Sequence, residues 1–593
     1  MTTLADEPGP MRLGTILAEL LATMGPDRRR QLVALMLLML LGAVAELVSI
    51  GSVVPFLAIL ADGNAAQAPG WVRSMLVELA GLTGTSPLQA AALLFMVAAV
   101  AAAALRLALG WSSQSCTLGF GHELAVEIQR RILHQPYAFH IGQHSSRILA
   151  SLEKVQILSS GVLLQVMQAV SALVIGGFII IAVASVDLSA AAISIVAFGV
   201  CYWLVSGVSG PRLARNSDIL GSAYDRRLKL VQESLGAIRD VILDRSQPVH
   251  LEEFRAIDWQ FSQARLSSGF LVTAPRFVIE AAGMLLIATL ALVVASEGGL
   301  AMALPVLGAL SLGALRLLPL LQQLYQAWVS LAANRSIATE VLSLLALPLP
   351  DEGSSGTPVP FNRTIRFDQV SFTYPGRNSP ALNDISFSIP HGSRVAIVGK
   401  TGSGKSTLVD LLMGLLTPST GRIAVDDVAL DNRTLGAWQQ RIAHVPQSIF
   451  LADASVARNV ALGGPPSAID ENRVAQAVKL AQLDDVVAGL PRGLETPVGE
   501  GGISLSGGQR QRLGLARAIY KDAAVLILDE ATNALDREIE EAILEVLARL
   551  HSRGVTVVMV SHRPSAVREC DLLIRLDRGK VVAIEPAEDH DRH

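Results

Sequence analysis

The sequence predicts two parts of different fold class, an all-α membrane domain followed by an α/β domain. Hydrophobic residues make up 51% of the 593-residue chain and charged residues only 17%, a balance that favours membrane segments. Residues 31–60 contain a single charged residue, Glu46, whereas the sequence after residue 360 has the mixed composition of a soluble α/β domain. A chain of this length also exceeds the usual size of one domain.

Six apolar runs are each long enough to cross a bilayer, which needs about 20 residues. They lie near 32–60, 88–115, 161–185, 188–210, 271–296 and 301–325. The charged stretches 117–157 and 211–268 are rich in Arg and Lys, so the positive-inside rule places them in the cytoplasm. Arg28–Arg30 predict a cytoplasmic N-terminus in the same way. We therefore expect a multi-pass protein of the inner (cytoplasmic) membrane whose C-terminal domain lies in the cytoplasm.

Composition predicts the boundaries between these parts. The predicted segments are an N-terminal cytoplasmic or elbow segment, the membrane domain, a polar linker rich in Gly, Ser and Pro, the α/β domain and a solvated tail, at 1–30, 31–345, 346–360, 361–585 and 586–593. An apolar face from Leu13 to Met24 predicts a helix that lies on the membrane or packs on protein. The external loop 61–87 predicts a short amphipathic helix at the membrane surface or one that caps the bundle. The three cysteines, Cys116, Cys201 and Cys570, have no spacing that suits a disulfide framework or a metal site.

A glycine-rich loop follows the apolar run Arg394–Val398, and Gly399–Ser406 fits the pattern G-x-x-x-x-G-K-[ST]. Such a loop wraps phosphates with its backbone N–H groups, and the helix that follows points its N-terminus at them. The second domain is therefore predicted to be a P-loop nucleotide-binding domain. Lys405 should reach the β- and γ-phosphates, and the Ser406 hydroxyl should bind Mg²⁺. The predicted nucleotide contacts here are Gly399, Lys400, Thr401, Gly402, Ser403, Gly404, Lys405, Ser406 and Thr407.

Two further motifs follow downstream. Leu505–Gln509 reads L-S-G-G-Q, and the apolar run Val525–Leu528 ends in Asp529 and Glu530. Carboxylates at the end of a parallel strand lie beside a phosphate loop in the same sheet. Asp529 suits a role at Mg²⁺, and Glu530 is the candidate general base for the attacking water.

Together these three motifs resemble the nucleotide-binding domain of ATP-binding-cassette (ABC) proteins, with ATP and Mg²⁺ as cofactors. The resemblance implies that Tyr374 stacks on adenine, that Gln447 contacts Mg²⁺ and the membrane domain, and that His562 contacts the γ-phosphate. Asn533–Asp536 resembles the D-loop, with Asn533 where Ser is usual. It also implies that L-S-G-G-Q of one chain closes over ATP held by another. A single chain would then need a partner, and a homodimer is the simplest answer. The residues implied at this shared site are Ser506, Gly507, Gly508 and Gln509.

The fused order of membrane domain and ATPase resembles half-transporter exporters of the type IV fold, which couple ATP hydrolysis to transport. This resemblance implies short coupling helices near Gln135–His140 and Val241–Gln247. A rival interpretation from another class is an ABC ATPase that regulates a channel. The net charge of −4 argues against a nucleic-acid partner.

Charged residues in apolar spans are costly and are therefore candidates for cargo contacts. The charged residues within the predicted spans are Glu46, Arg106, Arg276, Glu280 and Arg316. Glu280 lies four residues after Arg276 and can pair with it, whereas Arg106 and Arg316 have no evident partner nearby in the sequence. Three arginines facing a cavity would suit a phosphate or pyrophosphate headgroup. The alternative is structural ion pairing or snorkelling.

A narrower resemblance, to bacterial lipid-linked oligosaccharide flippases, rests on short motifs. They are Ala274-Pro275-Arg276, Arg316-Leu317-Leu318-Pro319, Arg106, Glu46 and the external helix. It implies a lipid or lipid-linked cargo that is anionic. One departure is Gln322-Gln323, which stands where a basic residue is expected, so fewer phosphates would be bound. The rival within transport is a general lipid, drug or peptide exporter.

Overall fold

The computed structural model describes most of the chain, and the rest of its backbone is not considered further. The described stretches are 12–62, 86–142, 145–186, 188–298, 300–349, 359–499, 505–531, 537–561 and 563–586, with a few single residues between them. The chain divides into two compact units. The first comprises Met1–Gln135 and Ile141–Leu349, and the second comprises Pro136–His140 and Pro350–His593. The short segment Pro136–His140 thus belongs with the second unit although the first surrounds it in sequence.

The first unit is helical throughout its described part. Its helices are α1 (Leu13–Ala22), α2 (Pro26–Asp62), α3 (Pro87–Leu133), α5 (Ser145–Gln156), α6 (Leu164–Val186), α7 (Leu188–Gly236), α8 (Ile238–Leu243), α9 (Gln247–Gly298), α10 (Leu300–Ala333) and α11 (Arg335–Leu345). A seven-residue π-helical segment, Ile157–Leu163, joins α5 to α6 without a break. The short helix α4 (Tyr137–Gly142) lies mostly within Pro136–His140, the segment that belongs to the second unit.

Three described stretches are long and apolar enough to cross a membrane. They are Pro26–Ser49, Leu88–Leu133 and Ala150–Ile181. These match the first three predicted spans, and α7, α9 and α10 cover the other three predicted positions as long helices. Many residues of α7, α9 and α10 have side chains outside the described part, so the count of six spans stays a prediction.

Short helices occur at both places where coupling helices were predicted. Helix α4 overlaps the first predicted position but begins two residues later, and α8 begins three residues before the second. The offset of α8 arises because the backbone leaves helical geometry at Ala237, which ends α7, and returns to it at Ile238. The next helix, α9, already starts at Gln247, so Ser246 lies between two helices rather than inside one.

The second unit contains a six-stranded and a four-stranded sheet. The strands are β1 (Thr364–Phe372), β2 (Leu382–Pro390), β3 (Arg394–Val398), β4 (Thr420–Val425), β5 (Val428–Ala429), β6 (Ile442–Val445), β7 (Ala454–Ser455), β8 (Pro497–Val498), β9 (Val525–Asp529), β10 (Thr556–Val560), β11 (Leu572–Asp577) and β12 (Lys580–Pro586). The larger sheet has the order β12-β11-β3-β10-β9-β6, parallel except for β12. The smaller sheet, β2-β1-β4-β5, is antiparallel.

The second unit also contains helices. They are α12 (Lys405–Leu412), α13 (Leu435–Gln440), α14 (Val456–Val460), α15 (Glu471–Leu480), α16 (Asp484–Ala488), α17 (Gly507–Lys521), α18 (Arg537–Ser552) and α19 (Pro564–Arg568). Helices α13, α17 and α18 contact the six-stranded sheet, whereas α14 and α15 pack on α17. The buried strands β3, β9 and β10 are almost continuously apolar, as expected for parallel strands covered on both faces. One apolar core joins α12 and the four-stranded sheet to these strands, and a second joins α17 and α18 to them. Strands β3 and β9 run parallel, with β10 between them, so their carboxyl ends lie at the same edge of the sheet, as the sequence predicts.

Several predicted features lie outside the described residues. They are most of the external loop 61–87, the linker core 351–358, Asn533–Asp536, His562, the tail beyond Pro586 and the side chains of Arg316 and Cys201. The other two cysteines, Cys116 and Cys570, are free and buried.

Candidate nucleotide site

The glycine loop bridges the end of β3 and the start of α12. Gly402 and Gly404 have φ angles of +81° and +105°, which favour glycine over any residue with a side chain. A Cβ atom on Gly404 would also lie 2.7 Å from Cδ2 of Leu382. The loop can therefore adopt this path only with glycine at these positions. The backbone N–H groups of such a loop, together with the N-terminus of the helix that follows, suit a phosphate.

Lys405 and Ser403 are held inside this loop. Nζ of Lys405 donates to the carbonyl oxygens of Gly399 at 2.7 Å and Lys400 at 3.2 Å. The Ser403 hydroxyl is buried and has no hydrogen-bond partner within the described part of the chain. A buried polar group normally finds a partner. The Lys405 ammonium group can exchange these carbonyl oxygens for the oxygens of a phosphate. The Ser403 hydroxyl is a second group that can bind a phosphate oxygen.

The candidate metal and base residues lie at the end of β9. Burial, the negative charge of Glu530 and, in opposition, the Lys405 ammonium act on Asp529, and the net effect raises its pKa. Nε2 of Gln447 donates to Oε2 of Glu530 at 3.0 Å, so the predicted Q-loop residue already contacts the predicted base. Ser406, Gln447 and Asp529 each carry a side-chain oxygen atom, the kind of ligand that Mg²⁺ prefers.

Glu530 has an unusual backbone conformation. Its φ angle is +50°, in the left-handed region that non-glycine residues seldom adopt, and its N–H donates to the Val560 carbonyl at 3.0 Å. Such strain costs about 1–3 kcal/mol and persists where the surroundings enforce it. Here the hydrogen bond to β10 and the contact with Gln447 hold the carboxylate at the edge of the sheet.

Asp410 is a site residue that the sequence analysis missed. It lies in α12, one turn after the predicted Mg²⁺ ligand Ser406. Burial and, second, the negative charge of Asp529 raise the pKa of its carboxyl group to about 6. The available signal was an acidic residue within the apolar run Leu408–Leu412, but only the fold shows that Asp529 is its neighbour.

This pKa predicts a pH-dependent effect of Asp410→Asn on stability. A carboxyl whose folded pKa exceeds its unfolded value of about 4 favours folding at low pH, and this benefit is lost as the pH rises through about 6. We therefore expect Asp410→Asn to raise the unfolding temperature at pH 8, with a difference that disappears below about pH 4. Thermal unfolding of the full chain in EDTA, without nucleotide, measures this.

Asp426→Asn is the matched control with the opposite sign. The pKa of Asp426 is lowered because, although burial raises it, backbone N–H groups of Thr364, Asn362 and Arg363 donate to its carboxylate. Its stabilisation is present above the unfolded pKa and is lost as the pH falls through the folded pKa. Asp426→Asn should therefore lower the unfolding temperature at pH 8. Equal losses in both variants at pH 8 would contradict the assignment for Asp410.

The aromatic residue predicted to stack on adenine lies beside the glycine-loop helix. The Tyr374 hydroxyl is 3.1 Å from Oγ1 of Thr407, and its ring packs edge-to-face on Phe372. Burial raises the pKa of Tyr137 in α4, and the nearby charges of Asp410 and Tyr374 raise it further. The sequence predicts a coupling helix here but does not connect Tyr137 with the nucleotide residues.

The signature loop forms the start of α17. The Ser506 hydroxyl accepts from the N–H of Gln509 at 3.3 Å, and the Gln509 side chain accepts from the N–H of Ser506 at 2.9 Å, which is a capping box. Among the described residues, a Cβ on Gly507 would meet no atom within 4 Å. The N-terminus of α17 is thus capped and has space beside Gly507, which suits an anionic group brought from elsewhere.

The membrane arginines belong to the first unit, whereas the nucleotide residues belong to the second. Nε of Arg106 lies 3.7 Å from Oε2 of the buried Glu46, so Arg106 has an acidic partner in space although it has none nearby in the sequence. Sequence spacing missed the pair because the two residues lie on neighbouring helices, α3 and α2. Nε of Arg276 lies 2.8 Å from Oε1 of Glu280, as its spacing predicted. The side chain of Arg316 is not described.

Two family models match the chain. One, described as ABC transporter, matches residues 382–533, and the other, described as ABC transporter transmembrane region, matches residues 32–297. The chain belongs to the ABC transporter family. The two matches cover both units and together span more than half of the sequence. This membership supports ATP as the bound nucleotide and ATP hydrolysis coupled to transport as the activity.

Relatives of this ABC half-transporter include proteins named ATP-dependent lipid A-core flippase. The Bordetella avium protein is 42% identical over 236 residues, which span 40% of each chain. The Burkholderia orbicola protein is 34% identical over 390 residues, or 64% of this chain and 63% of that protein. The matched regions therefore span less than two thirds of these relatives.

A solved structure shares the fold across almost the whole chain. The ATP-bound bacterial Atm1-family ABC exporter aligns with a TM-score of 0.79, covering 95% of this chain and 97% of that one at 22% identity. At this identity the likeness concerns the fold alone. The predicted type IV exporter fold, with a helical membrane domain followed by an α/β nucleotide-binding domain, is confirmed.

Proposed function

We propose that this half-transporter is an ATP-driven exporter or flippase that moves an anionic amphiphile across the membrane, with a lipid-linked oligosaccharide as the favoured cargo. The observation that carries the cargo class is Arg276, an arginine in an apolar helix whose side chain stays 54% exposed although it pairs with Glu280. An ion pair serving only the fold has no need of an exposed guanidinium group in an apolar segment. The relatives named as lipid flippases support a lipid cargo.

The active assembly is a homodimer with two equivalent ATP sites. The space beside Gly507 supports this, because among the described residues no atom lies within 4 Å of a Cβ placed on this signature residue at the N-terminus of α17. Each chain carries one glycine loop and one signature, so two chains complete two sites. The membrane helices lie in the inner membrane, and the nucleotide-binding unit lies in the cytoplasm.

Hydrolysis follows from the residues around the glycine loop. The glycine loop and Lys405 bind the phosphates, and Tyr374 stacks on the adenine ring. Mg²⁺, held by Ser406, Gln447 and Asp529, supplies charge neutralisation at the β- and γ-phosphates. Glu530 accepts the proton of the attacking water, with its carboxylate oriented by Gln447. His562 contacts the γ-phosphate.

Cargo recognition rests on Arg106, Arg276 and Arg316. Arginine suits a phosphate or pyrophosphate headgroup because its planar fork donates two parallel hydrogen bonds. The 3.7 Å between Arg106 and its carboxylate partner is longer than a hydrogen bond, and 48% of the Arg106 side chain is exposed. The guanidinium group therefore has donors left for a headgroup. Replacing Arg106 alone would leave the buried Glu46 without this cation, which makes Arg106 a poor first test.

Arg276→Ala tests the cargo class. Its partner Glu280 keeps 36% of its side chain exposed, so the variant leaves no fully buried charge and should fold. We expect translocation of a labelled polyprenyl-pyrophosphate glycan in proteoliposomes to fall by about tenfold or more, the effect of losing one charge-assisted hydrogen bond. Basal ATP hydrolysis should persist, because the nucleotide residues lie in the other unit. Lysine at position 276 should rescue only partly.

Arg255→Ala is the matched control. Arg255 lies on the same helix, is similarly exposed and pairs with Glu252 one turn away, but it sits in the charged part of α9. Its loss should leave translocation unchanged. Unchanged translocation in both Arg276→Ala and Arg316→Ala would contradict the anionic headgroup and favour a general lipid, drug or peptide exporter. ATP turnover without any translocation by the parent protein would favour a channel regulator.

A further inference from the structure

Lys154 in α5 is a buried lysine that contacts carboxylates from two other helices. Its side chain is 1% exposed, and its Nζ lies 2.7 Å from Oδ1 of Asp225 in α7 and 2.7 Å from Oε2 of Glu340 in α11. Directly beside it, the Tyr224 hydroxyl donates to the carboxylate of Glu153. Three helices of the first unit therefore meet at one ammonium group, which we call the Lys154 triad (Lys154, Asp225 and Glu340).

The triad is a poor device for stability alone. Removing an ammonium group and two carboxylates from water is expensive, and an apolar trio of the same volume often stabilises a fold as well or better. A buried ionic contact instead specifies geometry. Its atoms must meet at hydrogen-bond distance and angle, whereas packed apolar surfaces tolerate small shifts along each other. The triad therefore specifies one register among α5, α7 and α11.

Helix α11 needs no ionic contact to stay attached. Its apolar face is already buried, through Ile337, Ala338, Val341, Leu342 and Leu344. Its sequence carries only two charged residues, Arg335 and Glu340, and Glu340 points into the triad. The apolar face holds the helix on the unit, and the contact with Lys154 fixes where it sits.

The position of α11 sets the point where the chain leaves the first unit. Nη1 of Arg131 donates to the Leu347 carbonyl at 2.6 Å, and Nε2 of Gln135 donates to the Pro348 carbonyl at 2.9 Å. Gln135 and Leu349 are the residues at which the chain passes from the first unit to the second. Both exits are thus tied to each other at the end of α11.

The other end of α11 is tied to the same α5–α6 run. The Ser330 hydroxyl, near the end of α10, donates to the Gly161 carbonyl within the π-helical segment. Asn334 separates α10 from α11. The α5–α6 run therefore contacts the chain on both sides of this break, through Gly161 before it and Lys154 after it. π-Helical turns are uncommon and often occur where function needs an irregular register.

We propose that Lys154 is a positioning residue: the triad fixes the register of α11 and thereby transmits ATP-dependent movement between the nucleotide-binding unit and the membrane helices. This inference rests on the proposed function, in which ATP drives a change in the membrane unit. Movement at the chain exits reaches α5 and α7 through the triad as a rigid shift, instead of being lost by sliding along the apolar face of α11.

The decisive variant is Lys154→Met/Asp225→Asn/Glu340→Gln, which removes all three charges of the triad and retains side-chain volume. A spin label at Leu243→Cys in α8, where the side chain is 79% exposed, reports the distance between the two chains of the dimer. The three native cysteines are replaced in this background. ATP shifts the equilibrium between two inter-chain distances in the parent. In the charge-free variant we expect the equilibrium constant for this ATP-induced change to fall by about fivefold or more, the lower end of the usual coupling between sites. Unfolding temperature and the KM for ATP should remain close to those of the parent.

Lys229→Met/Glu233→Gln is the matched control, because it removes an exposed lysine–carboxylate pair within α7. This control variant should show the same ATP-induced change in the inter-chain distance as the parent. A charge-free triad that shows the parental ATP-induced distance change overturns the inference and leaves the proposed function standing. This holds even if Lys154→Met alone is impaired, because that variant leaves Asp225 and Glu340 without their cation. A parent protein without any ATP-dependent shift overturns the proposed function and this inference with it. A loss of shift accompanied by a large fall in unfolding temperature would show a structural role only and would also overturn it.

Discussion

A chain with Glu530→Gln is expected to bind ATP normally and to hydrolyse it about a hundredfold or more slowly, the usual contribution of a general base. Glutamine has the same shape as glutamate and can still accept the 3.0 Å hydrogen bond from Gln447, but it cannot take a proton from water. The left-handed backbone at this position is set by the hydrogen bond from its N–H to Val560, which the substitution retains. The loss should therefore fall on chemistry and not on folding or binding.

Phosphate release under saturating ATP measures the rate, and the rise in unfolding temperature with ATP measures binding. Glu538→Gln is the matched control, because Glu538 is an exposed glutamate in the first turn of α18 with no place in the site. It should hydrolyse ATP at the parental rate. A Glu530→Gln chain that also hydrolyses ATP near that rate would remove Glu530 from the role of base.

The sequence predicted features whose signals are local. The glycine loop, the strand before it and the carboxylates after β9 are each encoded within about ten residues, and the parallel-sheet rule then brings their strand ends together. The Arg276–Glu280 pair was predictable for the same reason, because both residues lie on one helix four positions apart. Helix α4 also appeared where charged sequence and the resemblance placed it.

Features formed between distant segments could not be predicted. Glu46 and Arg106 lie 60 positions apart and meet only because α2 packs on α3, and Lys154 lies 186 positions from Glu340. The raised pKa of Asp410 likewise depends on Asp529 and on burial that no local pattern encodes. A single sequence shows which residues are charged in an apolar context, but the fold decides whether each has a partner.

Mixing Lys405→Ala chains with Ser506→Arg chains is expected to restore ATP hydrolysis that neither variant shows alone. Lys405→Ala removes the ammonium group that sits on the glycine-loop carbonyls at Gly399 and Lys400. Ser506→Arg breaks the capping box with Gln509 and places a bulky cation at the N-terminus of α17. In a mixed dimer, the intact loop of one chain faces the intact signature of the other, so one of two composite sites is complete.

Random mixing makes half of the dimers mixed, so we expect about a quarter of the parental ATP sites to be restored. Two different affinity tags isolate the mixed dimers, in which about half of the sites should be intact, and both phosphate release and retained labelled ATP are measured there. Each variant purified alone is the control for residual activity, and unfolding temperatures show that both chains are folded. If each chain instead formed its site from its own loop and its own signature, every chain in the mixture would carry one broken motif and no activity would return. Recovery of activity therefore requires a site shared between two chains. Verified mixed dimers without restored ATP retention would contradict the shared site, and with it the homodimer that the space beside Gly507 in α17 supports.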